Sequence, residues 1–118
     1  MKYEVEKNFI NGHRVDSSSQ KFLEVISPVD GSPLSKVFLS NSKDLDTAVA
    51  AAQKAFPAWS KMPVKERVQV FYKYKTLLER DLNSLAQLCS EENGKTLSES
   101  IAEVEKSIEL TELACSLP

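Results

Sequence analysis

Glycine is scarce in this 118-residue chain: Gly12, Gly31 and Gly94 are its only three, and they stand far apart. Loops that cradle phosphate need several glycines close together, because a backbone without Cβ can turn sharply and approach the anion. A self-contained nucleotide site is therefore excluded. Cysteine is also sparse, with Cys89 and Cys115 alone, and the one histidine is His13. Two cysteines make neither a disulfide framework nor a metal set, and zinc would need carboxylates to complete four ligands. Two free thiols on helices are expected. Net charge is −2, with 15 basic residues among 17 acidic ones. Lys73 and Lys75 flank Tyr74, but no basic run reaches the density that nucleic acid requires, so nucleic acid is excluded as the main partner. No apolar stretch approaches the ~20 residues of a membrane span. The opening run Met1 to Lys7 carries acids and precedes no apolar segment, so no signal peptide is expected and a cytoplasmic address follows.

What is present divides into two unlike parts. Hydrophobic content of 42% and charged content of 27% are ordinary for a globular protein. Residues 8–40 read as β-hairpins. Phe9 to Val15 centres on Asn11-Gly12, a pair that accepts the positive φ angles of a type I′ turn. After a polar tip, Asp16 to Gln20, the strand formers Lys21 to Ile26 lead into the turn Pro28-Val29-Asp30-Gly31, and Leu34 to Leu39 is the return strand.

Residues 41–117 read as three or four α-helices. Asn41 or Ser42 caps the first, whose apolar positions are Leu45, Val49, Ala52 and Phe56. Pro57 is expected to end it, because the residue before proline is pushed out of the helical region, leaving Ala58-Trp59 as an irregular turn sealing the junction. Pro63 suits a first helical position. Val64, Val68, Phe71, Leu78, Leu82, Leu85 and Cys89 then form one stripe, interrupted at Lys75, with Asp81 able to cap a second segment. Gly94 is the expected C-terminal cap. Thr96-Leu97-Ser98-Glu99 is a capping box opening a third stripe, Leu97, Ile101, Val104, Ile108 and Cys115.

Two features suggest a larger parent. The last helix runs to Leu117 with no closing signal except Pro118, and one or two hairpins are marginal without more structure to cover them.

Several short runs, in order, resemble the N-terminal region of the aldehyde dehydrogenase superfamily. They are Phe9-Ile10-Asn11-Gly12, Ile26-Ser27-Pro28-Val29-Asp30-Gly31, Ala51 to Trp59, Glu66-Arg67, Glu91 to Thr96, and Ala102-Glu103-Val104-Glu105. Together they cover residues 9–115. Ser27 departs from the asparagine that the family commonly has before the proline. Ala55 to Trp59 and Glu112 to Pro118 look most like the coenzyme-A-acylating methylmalonate-semialdehyde dehydrogenases.

The resemblance implies an α/β parent fold in which residues 1–118 form an incomplete, N-terminal part of the NAD-binding domain. It implies oxidation of a small-molecule aldehyde with NAD or NADP: a cysteine thiolate attacks, hydride passes to the nicotinamide, and water or coenzyme A releases the acyl group. In the family the nucleophile, glutamate base, asparagine donor and phosphate-binding glycines lie beyond position 118, so this chain alone is expected to bind no cofactor and catalyse nothing. Cys115 does not occupy the nucleophile motif and reads as a buried or half-buried helix residue. By position, Val25 or Ile26 and Glu103 match backbone carbonyls that hold a monovalent cation in family members. Lys106 stands where the subgroup has an arginine that holds the substrate carboxylate, offering a point charge in place of a fork. The partners implied are the remainder of the dehydrogenase or a homo-oligomer. Two other readings stand beside this one: a non-catalytic protein-interaction module, and an unrelated helical interaction domain.

Overall fold

The computed structural model describes residues 1–117, so Pro118, read above as the closing signal, lies outside the described residues. The chain forms two compact units, Met1–Lys61 and a second that begins at Met62. The first helix thus groups with the hairpins and not with the later helices.

In the first unit, β1 (Asn8–Ile10) and β2 (His13–Val15) pair antiparallel, Phe9 opposite Arg14. Asn11 at φ 53° and Gly12 at φ 80° supply the two left-handed residues that a two-residue hairpin turn requires. β3 (Phe22–Ile26) and β4 (Pro33–Phe38) form the second hairpin, with an irregularity between Val25 and Ile26. Gly31, at φ 74°, closes the connection, and its N–H donates to the Ser27 carbonyl at 2.9 Å. The Phe22 and Phe38 rings meet edge to face with centroids 6.4 Å apart.

The opening residues were not anticipated as part of a sheet. The Lys2 and Tyr3 amides donate to the Leu34 carbonyl and the Glu6 amide to that of Lys36, which places this segment along β4. Glu6 makes a parallel bridge to Val37, and the Ser35 hydroxyl donates to the Glu4 carbonyl. β4 is therefore flanked on both sides, and Leu34 and Ser35 are buried there. A two-stranded ribbon is marginal in water, and this third segment supplies the missing neighbour.

α1 spans Ser42–Lys61. Asn41 is its cap: the side-chain oxygen accepts from the Lys43 and Asp44 amides, and the Asp44 carboxylate accepts from the Asn41 amide. Pro57 does not end this helix, contrary to the expectation, and Ala58-Trp59 are helical rather than an irregular turn. Proline removes one N–H from the ladder, whereas the surrounding alanines at 48, 50, 51, 52, 55 and 58 have the highest helix propensity. The bias on Phe56 is a preference that this stretch overrides. Trp59 stays 37% exposed and seals nothing, and no residue of α1 is buried.

The second unit is a helical hairpin, α2 (Val64–Asn93) and α3 (Leu97–Ser116). Pro63 sits just before α2 instead of being its first residue, and its carbonyl accepts from the Glu66 and Arg67 amides. Asp81 does not divide α2. Its carboxylate is engaged by Arg80 through Nε at 2.9 Å and Nη2 at 2.7 Å, so it needs no helix terminus to satisfy it. Gly94, at φ 79°, ends α2 in the left-handed conformation, and its amide donates to the Ser90 carbonyl. Thr96 and Glu99 make the expected reciprocal capping box. The helices run antiparallel, since Cys89 reaches Glu103 near the turn and Lys75 reaches Glu112 further away. Ala86, Ser100, Val104 and Cys115 are the buried residues of this unit, Ala86 and Ser100 completely so. Thr96→Ala removes the hydroxyl from the box and is expected to lower the stability of the chain by about 1 kcal/mol. Urea denaturation followed by circular dichroism checks this; an unmoved midpoint would show that α3 does not depend on its cap.

Candidate functional site

The sequence-derived site residues fall in both units, and each is placed here within its own. Ile26 closes β3, is exposed, and is paired in register with Pro33. Proline has no N–H, so the residue opposite Ile26 cannot occupy the Ile26 carbonyl. Val25, the alternative, is half-buried within the strand.

Glu103 and Lys106 lie on α3 three residues apart, which puts them on one side of the helix. Both are exposed. The Glu103 carboxylate carries two contacts from across the turn: the Lys95 ammonium and, at 3.7 Å, the Cys89 thiol. Its backbone carbonyl also accepts the Ser107 hydroxyl at 3.1 Å. The Lys95 hydrogen bond, reinforced by its charge, holds the Glu103 carboxyl below its ordinary value, and the same bond raises Lys95. Glu103 is thus an ionised acceptor and not a proton donor at neutral pH. Lys106 pairs at 2.7 Å with Glu109, one turn on, with both side chains about two-thirds exposed. Such a pair contributes little and exchanges readily for another carboxylate.

Local spacing could not have shown the Cys89–Lys95–Glu103 grouping. Lys95 is eight and Cys89 fourteen residues from Glu103, and only the tight turn at Gly94 brings them together. Cys115 is buried, as expected, and its unit contains no histidine, because His13 belongs to the other unit. It borders a shallow opening of about 400 Å³ with Val64, Val68 and Tyr72. All three glycines serve left-handed turn or cap positions, so none is available to approach a cofactor phosphate.

The first unit holds an open groove of about 620 Å³ where Asn8, Phe9 and Ile10 face Asn41, Asp44 and Leu45. The polar tip read as a plain loop clasps this helix start. The Ser17 hydroxyl donates to Asp44 at 2.7 Å, as does the Ser18 amide at 2.9 Å, and the Ser18 hydroxyl donates to Asn41 at 3.0 Å. The run of three serines, 17–19, was the one signal for it. The Ser18 amide, followed by the Ser17 hydroxyl, draws the Asp44 carboxyl from 3.8 down to about 2.

Comparison with known proteins follows from this geometry. Residues 14–118 match the aldehyde dehydrogenase family. The chain belongs to that family. It is 41% identical over 112 residues to a malonate-semialdehyde dehydrogenase of Lacticaseibacillus casei and 44% to one of Halalkalibacterium halodurans. Each alignment covers 95% of this chain, which spans 23% of either relative's length. Among solved structures, a methylmalonate-semialdehyde dehydrogenase from Oceanimonas doudoroffii superimposes with a TM-score of 0.92 at 31% identity, covering 98% of this chain and 24% of its own. A candidate methylmalonate-semialdehyde dehydrogenase from Sinorhizobium meliloti, complexed with NAD, gives 0.93 at 32% identity, over all of this chain and 24% of its own. The fold class is accordingly α/β, with two small antiparallel hairpins and three helices in this part of it. No helix among the described residues is long and apolar enough to cross a membrane.

Because the Asp44 carboxyl is depressed on folding, its ties strengthen the fold above the unfolded value and are lost as pH falls from about 4 towards 2. The Ser18 amide resonance is expected to titrate near pH 2 and to lose that titration in Asp44→Asn. A midpoint near 4 would show that the clasp does not hold the ionised form.

Proposed function

We propose that this chain is the N-terminal quarter of an NAD(P)-dependent aldehyde dehydrogenase acting on a malonate- or methylmalonate-semialdehyde, with coenzyme A as the acyl acceptor. The reading places it in the cytoplasm as an incomplete part of the NAD-binding domain. The observation that carries it is the identity of 41–44% to malonate-semialdehyde dehydrogenases across 112 residues, of which this chain spans less than a quarter. NAD or NADP supplies the hydride acceptor in such an enzyme. This chain's contribution is shape and a few polar contacts, and by itself it turns over no substrate.

The substrate class makes Lys106 the residue to watch. A semialdehyde of a dicarboxylic acid presents a carboxylate beyond its reacting carbonyl, and an exposed ammonium held only by Glu109 can re-pair with it. Lys106 thus belongs to the proposal as a carboxylate contact. So does a monovalent cation held by the carbonyls of Ile26 and Glu103. Pro33 opposite Ile26 supports the first of these ligands, whereas at Glu103 a cation has to compete with the Ser107 hydroxyl. Homo-oligomeric assembly belongs to the same reading. A second reading, a non-catalytic interaction module, is favoured by the apolar surface that both units leave exposed.

The test is complementation. The chain is mixed with a second chain that carries the remaining three quarters of a malonate-semialdehyde dehydrogenase, and NADH formation from malonate semialdehyde is followed at 340 nm (a wavelength set by the about 1.4-unit chemistry of no residue here). The chain alone is expected to give no signal and the pair to give one; activity from the chain alone, or none from a formed pair, would refute the reading. In the active pair, Lys106→Ala is expected to raise KM for the semialdehyde about tenfold with little change in kcat, and Lys106→Arg to restore it.

A further inference from the structure

α2 carries two apolar rows, and α3 covers only one. The first runs through Val64, Val68, Phe71, Leu78, Leu82, Leu85 and Cys89 and includes the helix face that packs on α3. The second consists of Val70, Tyr74, Leu77 and Leu88, each one position ahead of a first-row site, so it lies about 100° around the helix. Its members are between 44% and 52% exposed. Asp81 and Ser84 complete the alternating spacing of four and three, and both are already satisfied. Asp81 is held by Arg80, and the Ser84 hydroxyl donates to the Asp81 carbonyl at 2.8 Å. The row can therefore be covered without stranding an unpaired charge. A third sector, with Glu66, Gln69, Lys73, Thr76, Arg80 and Gln87, is polar and supplies the solvent face.

We propose that the Val70–Tyr74–Leu77–Leu88 row is a docking face whose occupant is an apolar surface in the other three quarters of the dehydrogenase. This rests on the proposed function and deepens it by naming the contact. The choice of occupant follows from length: this chain spans only 23% of the relatives it matches, so most of the surface available to cover the row lies in the part it does not contain. A four-three apolar row fits a helix or sheet of like character and offers nothing to a charged ligand.

The experiment measures, by isothermal titration, binding of the chain to the complementing three quarters of a malonate-semialdehyde dehydrogenase. Leu77→Lys with Leu88→Lys is expected to weaken binding at least tenfold while leaving the helicity of the free chain unchanged, because both side chains are exposed there. Gln69→Lys with Gln87→Lys, on the polar sector, is expected to bind as the parent does. Parent-like binding by the leucine variant overturns the docking face and leaves the proposed function standing. No binding by the unmodified chain overturns both. A concentration-dependent dimer of the free chain that the leucine variant abolishes overturns the choice of occupant in favour of a second copy.

Discussion

Shortage of buried apolar surface governs how this chain holds its shape. Among the described residues, four apolar side chains are buried, while twenty-five large apolar ones are exposed. Hydrophobic burial is the main favourable contribution in most folds, at roughly 25 cal/mol per Å². Here backbone chemistry at element ends has to do more. The Asn41–Asp44 exchange starts α1, Gly94 stops α2, and the Thr96–Glu99 box starts α3 two residues later. These local devices fix the turn between α2 and α3, and the turn sets the register in which Ala86 and Ser100 become enclosed. Side-chain ties across the hairpin, from Lys75 and from Lys95, then have their partners in reach.

Much of this was legible because it is local. Asn11-Gly12, Gly31, Gly94 and Thr96-x-x-Glu99 each encode a backbone conformation within four residues, and all took the expected form. Misreadings arose where one residue's preference was set against its surroundings. Pro57 was outvoted by alanines, and Asp81 found its partner in Arg80 instead of ending a helix. What could not be read was non-local: the opening residues on β4, the serines on the α1 cap, and the thiol and ammonium gathered on Glu103. Spacing carries no information about residues that meet only after the chain has turned.

The family resemblance was legible for a different reason, since six short runs kept their order and separation. It named a parent whose reacting groups are not in these residues. The structure is consistent with a supporting role: its glycines are spent on turns, its buried cysteine has no base in its own unit, and its one freely exchanging ammonium is Lys106. An apolar surface left open on α1, and along the second row of α2, is what a piece needing further cover presents.

The central claim is that α2 and α3 form the packed part of this chain while α1 lacks cover. Amide hydrogen exchange on the isolated chain tests it most directly. The account predicts the slowest exchange in α2 and α3 around Ala86 and Ser100, with α1 exchanging at least tenfold faster. Equal protection in α1 would contradict it, because a helix with no buried residue and a proline in its interior has nothing else to hold it closed.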